Sequence, residues 1–119
     1  MNKAEVLDKF LNSDPADGKV LVGSGMSEGL DLKGDKGRWQ VILTIPYPSY
    51  GDAWVRRKAK AESHWYTWAA TQELVQKFGR ISRGPDDWGV TYILDSRFES
   101  FFCKARDYWP APVSESIQL

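Results

Sequence analysis

Residues 39–46 read WQVILTIP, and this stretch decides the fold class. It is a short apolar run with β-branched residues, closed by a proline, which is typical of a buried strand in a parallel sheet. A similar run with the core VLV covers residues 19–24, and a third covers residues 88–94 after a Gly-Pro-Asp-Asp turn. The sequence therefore predicts a sheet of three to four strands.

Helical patterns surround these strands. Near the start, four apolar residues recur at helical spacing: Val6, Leu7, Phe10 and Leu11. Residues 52–78 contain neither Gly nor Pro and are expected to be helical, with a break near Ala61. A last helix is predicted from an apolar stripe and from the capping-box spacing of Ser96 and Glu99; the stripe consists of Phe98, Phe101, Phe102 and Ala105. This order predicts an α/β fold with a mainly parallel sheet flanked by helices.

Several conspicuous side chains are predicted to belong to the core. Trp65 and Trp68 stand at helical spacing, which favours packing over stacking on bases. Cys103 lies within the last apolar stripe and is expected to be buried. Because Cys103 is the only cysteine and His64 the only histidine, counting excludes a disulfide, a zinc finger and a cysteine-ligated iron–sulfur cluster built within this chain, and we predict no metal site.

The length and charge of the chain limit its possible functions. The 119 residues fit one globular domain, and 16 basic and 16 acidic side chains cancel. A partner held only by bulk positive charge is therefore not expected. Without a signal-peptide core or an apolar run of the roughly 20 residues that span a bilayer, we expect no membrane association and an intracellular location, in the cytoplasm or nucleoid.

Two segments carry the chemistry. The first is QKFGRISR at residues 76–83, in which Arg80 and Arg83 are three residues apart at a predicted helix end. Two guanidinium groups suit a phosphate chain, although cations near a helix C-terminus are also typical of a solvated end. The second is SGMSEGLDLKG at residues 24–34, directly after the first predicted strand. Loops at strand C-terminal ends bind ligands through backbone N–H groups, but a Gly-rich connection with solvated acids fits as well.

Together, SEGLD at residues 27–31 and QxxGRxxR at residues 76–83 resemble motifs V and VI of superfamily-two helicases, most closely those of the DinG/XPD branch. Three further stretches agree with this resemblance: IPYP at 45–48, DDxGV at 86–90 and DxRF at 95–98. Ordered motifs over nearly the whole chain are far more specific than one short motif.

The resemblance implies a helicase core of two RecA-like domains with ATP in the cleft between them. Residues 1–119 would form one domain, the C-terminal part of the second RecA-like (P-loop NTPase-type) domain. ATP and Mg²⁺ would be bound mainly by a first domain, present in cis or in trans, because this sequence lacks a Gly-x-x-x-x-Gly-Lys-Ser/Thr loop and a Walker B run. The isolated chain is accordingly not expected to hydrolyse ATP.

The resemblance also implies residue roles. Arg80 and Arg83 would reach the γ-phosphate as arginine fingers, with Gln76 in the same cluster. Glu28, Gly29 and Asp31 would form the loop that touches both the nucleotide and the DNA backbone. Gly79 would allow close packing at the nucleotide site, where a Cβ would clash.

Contacts with single-stranded DNA are expected at further positions: a phosphate at Ser27, stacked bases at Tyr47 and Tyr50, and the backbone at Arg56 and Arg57. The basic run at 56–60 is also typical of a solvated helix face.

Other functions remain open from the sequence. A freestanding remnant of such a helicase, binding protein or nucleic acid without catalysis, would carry the same motifs. A small nucleotide-binding regulator is a third reading, although the missing phosphate loop argues against it. A small sheet also leaves edges that invite self-association.

Overall fold

The computed structural model describes residues 2–23, 32, 34–81 and 85–119. Its regular elements are α1 (Lys3–Leu11), β1 (Trp39–Ile42), α2 (Ala53–Ala61), α3 (Trp65–Phe78), β2 (Val90–Ile93), α4 (Phe98–Lys104) and α5 (Ala111–Ser116). Short 3₁₀ turns cover Pro15–Asp17, Gly34–Lys36 and Arg106–Tyr108. The chain divides into two compact units, Met1–Gln40 with Arg80–Val90, and Val41–Gly79 with Thr91–Leu119.

Strands β1 and β2 form a two-stranded parallel sheet within the described residues. The N–H of Val90 donates to the carbonyl of Arg38 at 2.9 Å, and the N–H of Leu94 donates to the carbonyl of Ile42 at 3.0 Å. Both bonds keep the same register, and the residue numbers rise together along the two strands, so the pairing is parallel. The predicted α/β class, with a parallel sheet flanked by helices, is confirmed.

The predicted first strand is wrong over the residues that can be compared. Residues 19–23 have no regular secondary structure, and Ser24 lies outside the described residues. Val22 is 85% exposed, whereas a buried parallel strand needs a hydrogen-bonded neighbour and a cover on both faces. In place of strand partners, Val20 and Leu21 line a cavity of about 330 Å³ together with Val6 and Phe10 of α1.

The first unit begins with a well-capped helix. The side chain of Asn2 accepts the N–H of Glu5 at 2.9 Å, and the Glu5 carboxylate accepts the N–H of Asn2 at 3.4 Å, which forms a reciprocal capping box. Further along the chain, the ammonium group of Lys36 donates to the carbonyl of Leu11, the last residue of α1. The predicted first helix is confirmed.

The second unit contains a hydrophobic core made by the end of the sheet and by α3 and α4. Its buried members are Ile42, Ile45, Ala70, Leu74, Phe98, Phe101, Ala105 and Trp109. Trp109 packs against three phenylalanine rings of α4 with centroid distances of 5.6 to 6.2 Å. The predicted break near Ala61 is confirmed, because α2 ends at Ala61 and α3 begins at Trp65.

Two side-chain predictions in this unit fail. Trp68 is 43% exposed, because the buried stripe of α3 runs through Ala70, Thr71 and Leu74 and leaves it on another face, while Trp65 is half-buried. Cys103 is exposed. It lies two residues after the buried Phe101, which is roughly 200° around a helix of 3.6 residues per turn.

The predicted capping box of Ser96 and Glu99 is also wrong. The N-cap of α4 is Arg97, which has no side-chain capping bond. The carboxylate of Asp95 instead accepts the N–H of Arg97 at 3.0 Å, and it thereby takes the place that Ser96 was expected to fill. Among the described residues, no helix is both long and apolar enough to cross a membrane.

Candidate functional site

The QxxGRxxR segment begins on the last turn of α3. Gln76 is exposed there, and the N–H of Gly79 closes the helix by donating to the carbonyl of Val75 at 3.2 Å. Gly79 has a φ of −71°, so its backbone conformation is open to any residue and close packing remains the predicted reason for a glycine. Arg80 follows directly, half-buried, in the first unit.

A backbone hydrogen bond joins the two sequence motifs. The N–H of Leu32 donates to the carbonyl oxygen of Arg80 at 3.1 Å. Leu32 follows Asp31 in the sequence, so the residue after the acidic glycine loop lies against the first arginine. Five predicted site residues lie outside the described residues, and their roles stay predictions: Ser27, Glu28, Gly29, Asp31 and Arg83.

Two glycines fix the chain beside Arg80. Ile81 is only 2% exposed. A Cβ on Gly37 would lie 2.6 Å from the carbonyl oxygen of Leu32 and 2.8 Å from the Leu32 Cβ. A Cβ on Gly89 would lie 2.7 Å from the Cδ1 of Ile81 and 3.0 Å from the carbonyl oxygen of Gly37. Real Cβ atoms essentially never come closer than 3.0 Å to such atoms, so a Cβ on Gly37 would force the Leu32 backbone to move and a Cβ on Gly89 would force the Ile81 side chain to move.

Arg38 binds the segment before β2. Its Nη1 donates to Oδ1 of Asp87 and to the carbonyl of Trp88, both at 3.0 Å, and its Nε donates to Oδ1 of Asp35 at 3.0 Å. The guanidinium carbon also lies 4.6 Å from the centroid of the Trp88 ring. The DDxGV stretch therefore has a structural role, since Asp87 anchors the approach to the strand.

Asp95 ties together the ends of both strands in the second unit. Its Oδ2 accepts the N–H of Ile45 at 3.0 Å and Nη2 of Arg97 at 2.7 Å, while its Oδ1 accepts Nε of Arg97 at 2.9 Å. The Asp95 side chain is 5% exposed. The hydrogen bonds from Arg97, and then that from the Ile45 N–H, hold the pKa of Asp95 well below its usual range. The IPYP and DxRF stretches thus meet through the Asp95 carboxylate, for which the sequence predicted no role of its own.

The loop after β1 carries an aromatic cluster. The Tyr47 ring stacks on Tyr66 at 4.9 Å and meets Phe101 edge-on at 5.6 Å. Tyr47 is half-buried, and this burial raises its pKa. The Tyr66 hydroxyl donates to the carbonyl of Pro48 at 2.9 Å. Of the two tyrosines predicted to stack on bases, Tyr47 is thus largely occupied by the protein, whereas Tyr50 is exposed.

The two predicted backbone-contacting arginines differ in their surroundings. Nη1 of Arg56 donates to the carbonyl oxygens of Tyr50 at 2.6 Å and Gly51 at 3.1 Å, so this side chain stabilises the turn before α2. Arg57 is exposed on the same helix. In the described ranges, no group of three or more His, Cys, Asp or Glu side chains is placed to hold a metal ion. The arginine chemistry fits a phosphate.

A comparison with known protein families identifies the family of this chain. The family model described as "Helicase C-terminal domain" matches residues 1–108. The chain belongs to the helicase C-terminal domain family. The predicted resemblance to DinG/XPD-like superfamily-two helicases is thereby confirmed.

Curated relatives of this helicase C-terminal domain are much longer proteins. The chain is 31% identical over 99 residues to a Fanconi anemia group J protein homolog of Gallus gallus, covering 71% of the chain and 8% of that protein. It is 32% identical over 88 residues to a regulator of telomere elongation helicase 1 homolog of Anopheles gambiae, covering 63% and 9%. The Drosophila willistoni homolog of the latter is 34% identical over 87 residues, covering 62% and 9%.

The chain therefore spans less than a tenth of the length of these three relatives. No solved structure matches it significantly.

Proposed function

We propose that this helicase C-terminal domain supplies the arginine side of an ATP site. The phosphate loop and the magnesium ligands belong to a first RecA-like domain, in the same polypeptide or in a separate one. Arg80 and Arg83 stabilise the negative charge that develops on the γ-phosphate during hydrolysis. Gln76 hydrogen-bonds within the same cluster. The chain alone does not turn over ATP, because its own sequence lacks the phosphate loop.

The bond between Leu32 and Arg80 carries this proposal. It lies in one unit and brings the residue after the SEGLD segment to 3.1 Å from the arginine carbonyl, although the two are nearly 50 positions apart in the chain. A nucleotide contacted by Glu28, Gly29 and Asp31 on one side and by arginines on the other needs this proximity. The buried Ile81 and its two glycine neighbours supply the rigidity that a precisely aimed guanidinium requires.

The same domain is proposed to grip the DNA backbone. Ser27 donates to a phosphate, and the SEGLD loop transmits the nucleotide state to this contact. Arg57 supplies a second phosphate contact, since it is exposed, whereas Nη1 of Arg56 is engaged by two backbone carbonyls. We expect such a motor to act inside the cell, where DNA is present.

A reconstituted ATPase assay tests the arginine roles. The chain is joined in one polypeptide to the first RecA-like domain of a DinG/XPD-like helicase, and DNA-stimulated ATP hydrolysis is measured. Arg80→Ala and Arg83→Ala should each lower the rate by about 10³- to 10⁵-fold, the usual contribution of an arginine finger. Arg80→Lys and Arg83→Lys keep the charge but lose the planar fork, and they should recover only a small part of the rate.

Arg106→Ala is the matched control, because Arg106 is an exposed arginine in a 3₁₀ turn of the second unit. It should leave the rate unchanged. Equal rates for wild type and Arg83→Ala, or full ATP turnover by the chain without a first domain, would contradict the proposal. Circular dichroism of each variant separates a lost phosphate contact from a lost fold.

A second association is proposed at the sheet. In the second unit, apolar side chains of β1, β2 and the residues that follow them are exposed: Val41, Leu43, Tyr92 and Leu94. A parallel sheet is normally covered on both faces, so this apolar surface favours contact with a further domain or with a second copy of the chain.

A further inference from the structure

Two exposed aromatic rings lie at the start of α2. Tyr50 is 51% exposed and Trp54 is 57% exposed. Each ring is supported by an aromatic residue at the start of α3: Tyr50 meets Tyr66 at 4.8 Å with an interplanar angle of 61°, and Trp54 meets Trp65 at 5.4 Å with an angle of 90°. Rings held in this way lose little conformational freedom when a ligand stacks on them.

The backbone that carries the two rings is fixed by polar contacts. Nη1 of Arg56 donates to the carbonyl oxygens of Tyr50 and Gly51 at 2.6 and 3.1 Å. Oδ1 of Asp52 caps α2 by accepting the N–H of Trp54 at 2.7 Å. The segment between the rings is therefore preorganised, so the two rings keep a fixed relation without a ligand.

The helix that begins at these rings is locally basic. The sequence of α2 is AWVRRKAKA, which has four cations and no carboxylate, although the whole chain has no net charge. Arg57 follows Trp54 by three residues, so the two side chains share one face of the helix. An exposed ring next to an exposed guanidinium matches the alternation of flat bases and phosphates along a single strand.

We propose that Tyr50, Trp54 and Arg57 form a base-stacking seat for single-stranded DNA, called the Trp54 seat below. One base stacks on Trp54, a neighbouring base contacts Tyr50, and Arg57 pairs with a phosphate between or beside them. The occupant is a single strand, because bases within a duplex already stack on each other and hide their faces. The choice of DNA as the partner rests on the proposed helicase function. The seat adds a contact to the bases, which neither the arginine fingers nor the contacts to the DNA backbone provide.

Binding without ATP tests the seat. Fluorescence anisotropy is measured with a labelled deoxythymidine strand of about ten nucleotides, using the full 119-residue chain at several salt concentrations. Trp54→Ala should weaken binding by about 5- to 150-fold, which corresponds to the 1–3 kcal/mol of one stacked base. Trp54→Phe keeps a ring and should retain most of the affinity. Arg57→Ala should lower the slope of log K against log salt by about one.

The matched control is Trp68→Ala, which removes a tryptophan of similar exposure from α3 and should leave binding unchanged. A second probe is a strand of equal length without bases. Wild type should bind it more weakly than the base-bearing strand, and Trp54→Ala should not weaken its binding further. The proposal is overturned if wild type does not bind the base-bearing strand, as expected for a protein-docking surface. It is also overturned if Trp54→Ala and Trp68→Ala have equal effects, or if both strands bind alike, as expected for contacts to the phosphate backbone alone.

The outcome also separates this inference from the motor proposal. If Trp54→Ala binds DNA normally while Arg83→Ala still abolishes ATP hydrolysis in the joined protein, the seat is wrong and the arginine roles stand. If Arg83→Ala retains full ATPase activity while Trp54→Ala loses strand binding, the seat stands and the arginine-finger role is wrong.

Discussion

The backbone N–H of Leu32 donates a 3.1 Å hydrogen bond to the carbonyl oxygen of Arg80. The bond connects the residue after the SEGLD segment with the first arginine of QxxGRxxR, inside one compact unit. Beside it, the buried Ile81 packs against Gly37 and Gly89, where an added Cβ would lie 3.3 and 2.7 Å from the Ile81 side chain. The position of the Arg80 backbone is thus set by main-chain contacts on one side and by tight packing on the other.

Gly37→Ala should destabilise the first unit. The added Cβ would lie 2.6 Å from a backbone oxygen of Leu32, which cannot move as the end of a flexible side chain can. We expect the free energy of unfolding to fall by about 1–3 kcal/mol, the usual effect of overpacking, in urea titrations followed by tryptophan fluorescence. Gly51→Ala is the control, since its Cβ would meet only the Ser49 hydroxyl at 3.2 Å, and it should change stability by less than about 0.5 kcal/mol.

Ile81→Ala should also be strongly destabilising, because it empties the space between Gly37 and Gly89. Truncation of a fully buried isoleucine typically lowers the free energy of unfolding by about 2–5 kcal/mol. In the same unit, Val22→Ala removes methyl groups from a side chain that is 85% exposed and should have an effect below about 0.5 kcal/mol. Similar losses for the two variants in chemical denaturation would show that Ile81 is not a packing centre.

The lowered pKa of Asp95 predicts how the free energy of unfolding should change in acid. Its pKa is held below the usual value of about 3.9, chiefly by hydrogen bonds from Arg97, so the stabilisation is complete above that pH and is lost as the pH falls through the lowered pKa. Asp95→Asn should be less stable than wild type at neutral pH, and the difference in free energy of unfolding should shrink below about pH 4. Urea titrations at a series of pH values measure this difference.

The exposed Asp107 gives the control for this experiment, and Asp107→Asn should change the free energy of unfolding at neutral pH by less than about 0.5 kcal/mol. A difference between wild type and Asp95→Asn that is constant from neutral pH to strong acid would contradict the role of the carboxylate.

The exposed apolar side chains of the sheet predict self-association of the isolated chain. Replacing Leu43 and Leu94 together by aspartate places charges on this surface and should shift sedimentation velocity profiles towards the monomer. The free energy of unfolding should change little, because both side chains are largely exposed. Lys104→Asp changes the net charge by the same amount at an exposed position of α4 and should leave the profile unaltered. A concentration-independent monomer in wild type would contradict the prediction.

Local patterns predicted much of the secondary structure. The first helix, the helical region with its break after Ala61, the strand before Leu94 and the aromatic helix α4 all follow from periodicity and turn residues within a few positions of each other. The apolar run at residues 19–23 shows where this reasoning fails. A run of this kind becomes a strand only when a neighbouring strand accepts its hydrogen bonds, and no pattern in the run itself supplies the neighbour.

The orientation of single side chains was equally hard to predict. Trp68 and Cys103 both belong to apolar patterns, yet each lies outside the buried stripe of its helix. Small differences in helix rotation decide which of several apolar residues faces the core, and these are set by the packing of other elements. Trp54 was missed for a related reason, because its exposure depends on how the start of α2 lies against Trp65.

The sequence by itself determined the helices α1 to α4, the parallel class of the sheet and the family, because each depends on residue types at short or fixed spacings. Only the tertiary structure decided that Leu32 bonds to Arg80 and that Asp95 holds Ile45. The partners in each pair are about 50 positions apart in the chain. Bringing them together costs chain entropy, which only the packing of the assembled fold can offset. The folded chain therefore decided which carbonyl or carboxylate oxygen accepts the N–H of Leu32 and of Ile45. The local sequence could not decide it, because all such oxygens are similar acceptors.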